Sequence, residues 1–227
     1  MPLSPRRILP TLKRLYPDAR CTLDFSTPFE LLVATILATQ CTDARVNIVT
    51  KSLFIKYRSP ADFVAVSRAL LERDIRSTGS FRVKARAIQE TCATLLRDFH
   101  GEVPRTMEEM ITLRGVGRKI ASVVLSTAFG IVEGIPVDTH VTRLAHRMGL
   151  SEARSQHRIE MDLMSATPKK EWTNLSHYLV FHGRAVCKAP TPRCDVCHFR
   201  RTCPSSRIHT SSTSRGATKL AHRRRSR

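Results

Sequence analysis

Four of the seven cysteines fall at Cys187, Cys194, Cys197 and Cys203, a C-x6-C-x2-C-x5-C run in which seventeen residues carry a full set of four thiols. The first twenty residues hold Arg6, Arg7, Lys13 and Arg14 but no apolar stretch of the kind a secretory signal needs, which suggests a reducing cell interior. Clustered cysteines in that setting read as metal ligands rather than disulfides. Zinc and a four-iron cluster both accept four thiolates. A structural zinc site more often shows two C-x2-C knuckles, whereas this run has one with longer arms, so spacing alone leaves both metals open. Cys21, Cys41 and Cys92 are scattered and fit best as small core residues.

A second pattern is Leu113-Arg114-Gly115-Val116-Gly117-Arg118-Lys119-Ile120-Ala121, a Gly-x-Gly turn between two helical segments. Glycines there let the backbone approach a phosphate, and the free N–H groups at the start of the following helix point towards it. Such a turn suits sequence-independent gripping of a nucleic-acid backbone, with Arg118 and Lys119 adding charge. An ordinary connection between two helices would have the same spacing. Asp138 stands at another helix start, where a carboxylate caps backbone N–H groups.

The elements that must carry these residues are helices. Thr27-Pro28-Phe29-Glu30 supplies an N-cap, a first-turn proline and a capping-box glutamate, followed by Phe29, Leu32, Val33, Ile36 and Leu37 on one face. Ser59-Pro60 opens a helix carrying Phe63, Val66 and Leu70, and Thr106 repeats the capping pattern. Helical spacing recurs from Val83 to Phe99, from Ile120 to Thr127, and from Val141 to Met148 before Gly149. No run alternates as a strand does, so the fold class is all-α. Turn signals from Gly130 to Pro136 suggest a domain division, and the N-terminal segment could join either half.

Composition narrows the partner. The 227 residues carry 38 Lys and Arg against 19 Asp and Glu, a net charge of +19, which favours a polyanion, most commonly nucleic acid. The tail from Pro204 to Arg227 holds six Arg, one Lys and no acid, and it is too poor in apolar residues to offset ordering entropy. The longest apolar stretch, Phe29 to Ala38, is far too short to cross a bilayer, so no membrane partner is expected.

Taken in order, the Gly-Val-Gly-Arg-Lys hairpin, the segment Val137-Asp138-Thr139-His140-Val141-x-Arg143 and the four-cysteine run resemble the endonuclease III family of helix-hairpin-helix DNA glycosylases with lyase activity. The likeness runs from about Leu23 to Cys203 and includes Pro28-Phe29-Glu30-Leu31-Leu32 and Gln40. The resemblance implies a six-helix barrel domain over residues 21–132 with the helix-hairpin-helix. A cluster domain would combine 1–20 with 133–204, leaving 205–227 as a basic disordered tail. It implies that Cys187, Cys194, Cys197 and Cys203 hold a [4Fe-4S] cluster. The implied partner is double-stranded DNA with damaged bases or abasic sites, and the implied reaction is removal of oxidised pyrimidines followed by strand nicking. It also implies a monomer that, in a bacterium, works in the cytoplasm on the nucleoid.

By the same resemblance, Lys119 is the amine that attacks the sugar and forms a Schiff base. A free lysine is neutral in only about one molecule in 2,500 at pH 7, so its site must favour deprotonation, through the helix N-terminus and partial burial. Asp138 would relay a proton or stabilise positive charge at the sugar. Gln40 would fill the space left by the flipped nucleotide. Gly115, Gly117, Arg118 and His140 would contact DNA, His140 as a phosphate contact or a supporting residue. Three positions depart from the family pattern: Arg114 replaces a usual proline, Thr191 a frequent lysine, and Ser80 a usual leucine wedge. Strand insertion would then pass to Phe81 or Arg82. A glycosylase using water instead of an amine, or a DNA-binding protein without chemistry, are the competing readings; Lys119 weighs against the first, and retention of both Lys119 and Asp138 against the second.

Overall fold

Side-chain caps set most helix starts. Thr27, Thr42, Ser59, Ser67, Thr106, Asp138 and Ser155 each accept a hydrogen bond from a first-turn backbone N–H, an interaction typically worth about 1 kcal/mol. The computed structural model describes residues 3–208, so most of the basic tail expected at 205–227 lies outside the described residues. Among the described residues the chain is all-α, with no strand. The helices are α1 (Pro5–Leu15), α2 (Pro28–Leu37), α3 (Asp43–Lys56), α4 (Pro60–Ala65), α5 (Arg68–Asp74), α6 (Phe81–Asp98), α7 (Met107–Met110), α8 (Arg118–Ala128), α9 (Thr139–Met148), α10 (Gln156–Ala166) and α11 (Trp172–Ala185).

The chain divides into two units. One is Arg20–Pro136; the other joins the segment up to Ala19 with Val137 onwards.

In the Arg20–Pro136 unit, α2 is the central element and packs on α3, α6 and α8. The one-sided apolar face expected of α2 is not what forms: Phe29 and every residue from Leu31 to Leu37 are buried. A helix that is apolar all round has neighbours on all sides. Phe63 is fully buried, with its ring centroid 5.7 Å from that of Phe29 and 5.2 Å from that of Tyr57. Truncating it to alanine would cost about 3–5 kcal/mol. The single helix expected through Phe63, Val66 and Leu70 is instead two. The backbone of α4 leaves the helix at Val66 with ψ 139°, and the Ser67 side chain caps α5 by accepting from the Leu70 N–H. Apolar periodicity runs through this break, but the capping serine offers the backbone a better alternative. Of the scattered cysteines only Cys92 is fully buried, and burial pushes its thiol up to about 12; Cys21 and Cys41 are half-buried at the margin of the core.

In the other unit α1 packs on α10 and α11, with Ile8 and Leu12 fully buried, and α9 packs on α10 and α11. The N-terminal segment therefore belongs with the half that carries the cysteines.

Candidate functional site

The hairpin lies in the Arg20–Pro136 unit. Leu113 and Val116 are buried and anchor the turn, the Val116 N–H donates to the Leu113 carbonyl, and the Thr91 hydroxyl on α6 donates to the Arg114 carbonyl at 2.8 Å. Arg114 is held at the surface by Glu90 at 3.5 Å, and Glu90 also accepts from Arg86 at 2.6 Å. Gly115 has φ +77°, in the left-handed region that favours glycine, and a Cβ added there would stand 3.0 Å from the Ala87 Cβ. Gly117 is the N-cap of α8 with φ −91° and open space around it. Because a glycine supplies no side-chain cap, the first-turn N–H groups of α8 can face a ligand.

Arg118 and Lys119 begin α8; Arg118 is half-buried and Lys119 exposed. The partial burial expected of Lys119 is not found: its side chain is exposed at the start of α8.

The same unit carries two loops singled out from the sequence. Gln40, exposed beyond the end of α2, has φ 55°, and Ser80, exposed before α6, has φ 46°. Left-handed backbone at a non-glycine residue costs of order 1–3 kcal/mol and clusters at functional sites. Ser80 makes no side-chain cap to α6. The Phe81 ring is half-buried, and the exposed Arg82 guanidinium lies 5.1 Å from its centroid. Sequence reasoning gave Lys84 no structural role. It is 4% exposed, and its ammonium donates to the Leu37 carbonyl at 2.8 Å and the Thr78 carbonyl at 2.7 Å.

In the other unit Asp138 caps α9, its Oδ1 accepting from the Val141 N–H at 2.8 Å. His140, half-buried, has its Nδ1 3.1 Å from Arg143 Nη2. Arg143 also donates to the carbonyls of Cys187 and Gly183, both at 3.2 Å, tying the start of α9 to the first cysteine. One turn later Arg147 donates to the carbonyls of Lys188 at 2.8 Å and Pro190 at 3.2 Å and lies 3.5 Å from Cys187 Sγ. The Arg143/Arg147 pair at i, i+4 is the one signal by which sequence could have found this brace.

Cys187, Cys194, Cys197 and Cys203 line one pocket together with Arg147 and His182. Burial raises the thiols of Cys197 and Cys203, and their neighbouring cysteines raise them further, because negative charges gathered together oppose ionisation. A cationic group that binds four thiolates would reverse that cost. The Ser206 hydroxyl lies buried at the same pocket with no hydrogen-bond partner among the described residues. Burial, then His198, pushes His182 down to about 4, so it is neutral at pH 7, with Nδ1 2.8 Å from Tyr16 Oη and Nε2 3.6 Å from Cys197 Sγ. The donor set and its surroundings fit a four-thiolate cluster. No group of three or more His, Cys, Asp or Glu side chains among the described residues forms a ready cage for a metal ion.

Residues 33–169 match the model of the HhH-GPD superfamily of base excision DNA repair proteins. Endonuclease III of Synechocystis is 51% identical over 199 residues, covering 88% of this chain and 91% of that one. A solved non-covalent endonuclease III–DNA complex superposes with a TM-score of 0.87 at 47% identity, over 91% of this chain and 96% of that one. A trapped covalent endonuclease III–DNA intermediate gives the same TM-score of 0.87 at 47% identity, over 90% and 96%. A hairpin of this design, the helix-capping Asp138 and the thiol-lined pocket thus occur in a chain that belongs to the HhH-GPD superfamily of base excision DNA repair proteins and, within it, to the endonuclease III family.

Proposed function

We propose that this protein is a bifunctional DNA glycosylase and abasic-site lyase that removes oxidised pyrimidines from duplex DNA and nicks the strand by β-elimination. The observation that carries this reading is an exposed amine, Lys119, in the first turn of the helix that follows an uncapped Gly-x-Gly hairpin. In this reading the N–H groups beyond Gly115 and Gly117, with Arg118, hold the phosphate backbone. The damaged nucleotide leaves the stack, and the loops at Gln40 and at Ser80-Phe81-Arg82 take up the space and part the strands.

Lys119 Nζ attacks C1′ of the sugar as the base departs, forming a C–N bond while the glycosidic bond breaks. DNA covering the exposed amine supplies the desolvation that the protein alone does not. The sugar ring opens to a Schiff base, a proton leaves C2′, and the C3′–O bond breaks with departure of the 3′ phosphate. Water then releases Lys119. Asp138, fixed in place by its cap, stabilises positive charge developing on the sugar, and His140 supports it or contacts phosphate.

Cys187, Cys194, Cys197 and Cys203 would hold a [4Fe-4S] cluster. When bound, the cluster supplies iron–thiolate bonds that cross-link the loop after α11. The chain would divide into a barrel with the hairpin over 21–132 and a portion built from 1–20 and 133–204 that carries Asp138 and the cluster loop. The protein would act as a monomer on duplex DNA carrying damaged bases or abasic sites, in a bacterium in the cytoplasm on the nucleoid.

Borohydride trapping tests the reading. A duplex carrying an oxidised pyrimidine should become covalently joined to the protein, and Lys119→Gln should abolish both adduct and nick while keeping the fold. Abasic product without an adduct would mean a glycosylase that uses water. Binding without product would mean no chemistry at all.

A further inference from the structure

We infer that Lys84 is a positioning residue: its buried ammonium joins the turn that presents Gln40 to the loop that presents Ser80, Phe81 and Arg82, so that the two enter DNA as one device. This rests on the reading above that both segments engage duplex DNA.

The two carbonyls that Lys84 holds come from separate parts of the chain. Leu37 ends α2, three residues before Gln40, and Thr78 ends the turn just before Gly79 and Ser80. Lys84 itself lies in the first turns of α6, which begins at Phe81. One ammonium thus grips the stem of each loop from inside.

The backbone beyond each grip is left-handed at a non-glycine residue. Of the three such residues among the described residues, Gln40 and Ser80 are two. Unfavourable backbone of this kind persists only where its surroundings over-determine it. A second feature agrees: burying a lysine is costly, and an apolar side chain would fill the space without that cost. The ammonium gains what an apolar residue cannot, directional bonds to two carbonyls at once, one of them at the negative end of the α2 dipole. These bonds also occupy the amine, so Lys84 is not an alternative nucleophile to Lys119.

The test uses the full-length protein and Lys84→Met, which keeps an unbranched chain of similar volume and removes the donors. Hydrogen exchange should speed up at 38–41 and 78–82 together, with the hairpin at 113–119 unchanged. Processing of a duplex lesion should fall by about tenfold or more, the equivalent of about 1.4 kcal/mol. Borohydride trapping on a single-stranded abasic oligonucleotide, where no partner strand has to be parted, should be retained. Loss of both activities in parallel would indicate a merely structural lysine and overturn the proposal. So would faster exchange in only one segment, or in neither.

If Lys84→Met does not fold, Lys84→Arg keeps the charge but misplaces the donors, and the same paired exchange signature decides. Gln40→Ala and Phe81→Ala test the underlying reading separately. If neither alters duplex processing, these loops do not work on DNA, whatever Lys84 does.

Discussion

The two hairpin glycines should respond to the same substitution in different ways. Gly115→Ala places a side chain in the left-handed region at φ +77°, which costs about 1–2 kcal/mol. The new Cβ would also stand 3.0 Å from the Ala87 Cβ. Ala87 sits on α6, whose backbone cannot yield as a flexible side chain would, so overpacking adds about 1–3 kcal/mol. The loss of glycine freedom in the unfolded chain returns about 0.4–1 kcal/mol. The net destabilisation is about 1–5 kcal/mol, which near the middle of that range lowers Tm by about 6–12 °C.

Gly117→Ala meets nothing within 4 Å at φ −91°, so stability should change by no more than about 0.5 kcal/mol. Its methyl group would instead face the approaching phosphate and cost a charged hydrogen bond of about 1.5 kcal/mol, or about tenfold in affinity. Thermal melts and salt-controlled binding to an undamaged duplex measure the two effects. A double-mutant cycle with Ala87→Gly isolates the contact, with an expected coupling of about 1–3 kcal/mol. If Gly115→Ala melts with the wild type, if the coupling is zero, or if Gly117→Ala is the more destabilising, the account of the hairpin is wrong.

Other perturbations should separate structure from chemistry. Asp138→Asn should melt as the wild type does, since an amide oxygen can still cap α9, yet release base far more slowly; Asp138→Ala should also lose about 1 kcal/mol of stability. Equal rates for the Asp138→Asn variant and the wild type in a base-release assay would remove Asp138 from the chemistry. Burial raises the Asp74 carboxyl, but Lys56 at 2.9 Å and Tyr57 Oη at 3.0 Å outweigh it and hold it below its ordinary value of 3.8. A carboxyl lowered in the folded state adds stability above its unfolded value, and that stability is lost as pH falls through the folded one. Asp74→Asn should therefore be less stable by about 1–2 kcal/mol at neutral pH and show a shallower loss below about pH 4 in urea titrations. Anaerobically purified protein should contain about four irons per chain with visible absorption, and one zinc without iron in metal analysis would refute the cluster.

Much of the molecule is legible along the chain because the relevant physics is local. The cysteine run, the glycine spacing of the hairpin, and the caps at Thr27, Ser59 and Asp138 depend on residues within a few positions of one another. Periodicity was enough for the all-α class, yet it ran straight through the break between Val66 and Ser67, where a hydroxyl and an N–H decide the matter. It showed α2 with one apolar face, because how many neighbours a helix has is not written in the helix.

Only the tertiary structure could show what Lys84 and His182 do. A lysine in a helix looks like a solvated charge until carbonyls 47 and 6 residues away close over it. His182 becomes a buried neutral link only when Tyr16, 166 residues distant, meets its ring. Conversely, Lys119 stands exposed, without the burial that its chemistry suggested. Sequence determines which groups exist and which local turns they favour; burial and partnership depend on chain segments that meet only when the fold forms.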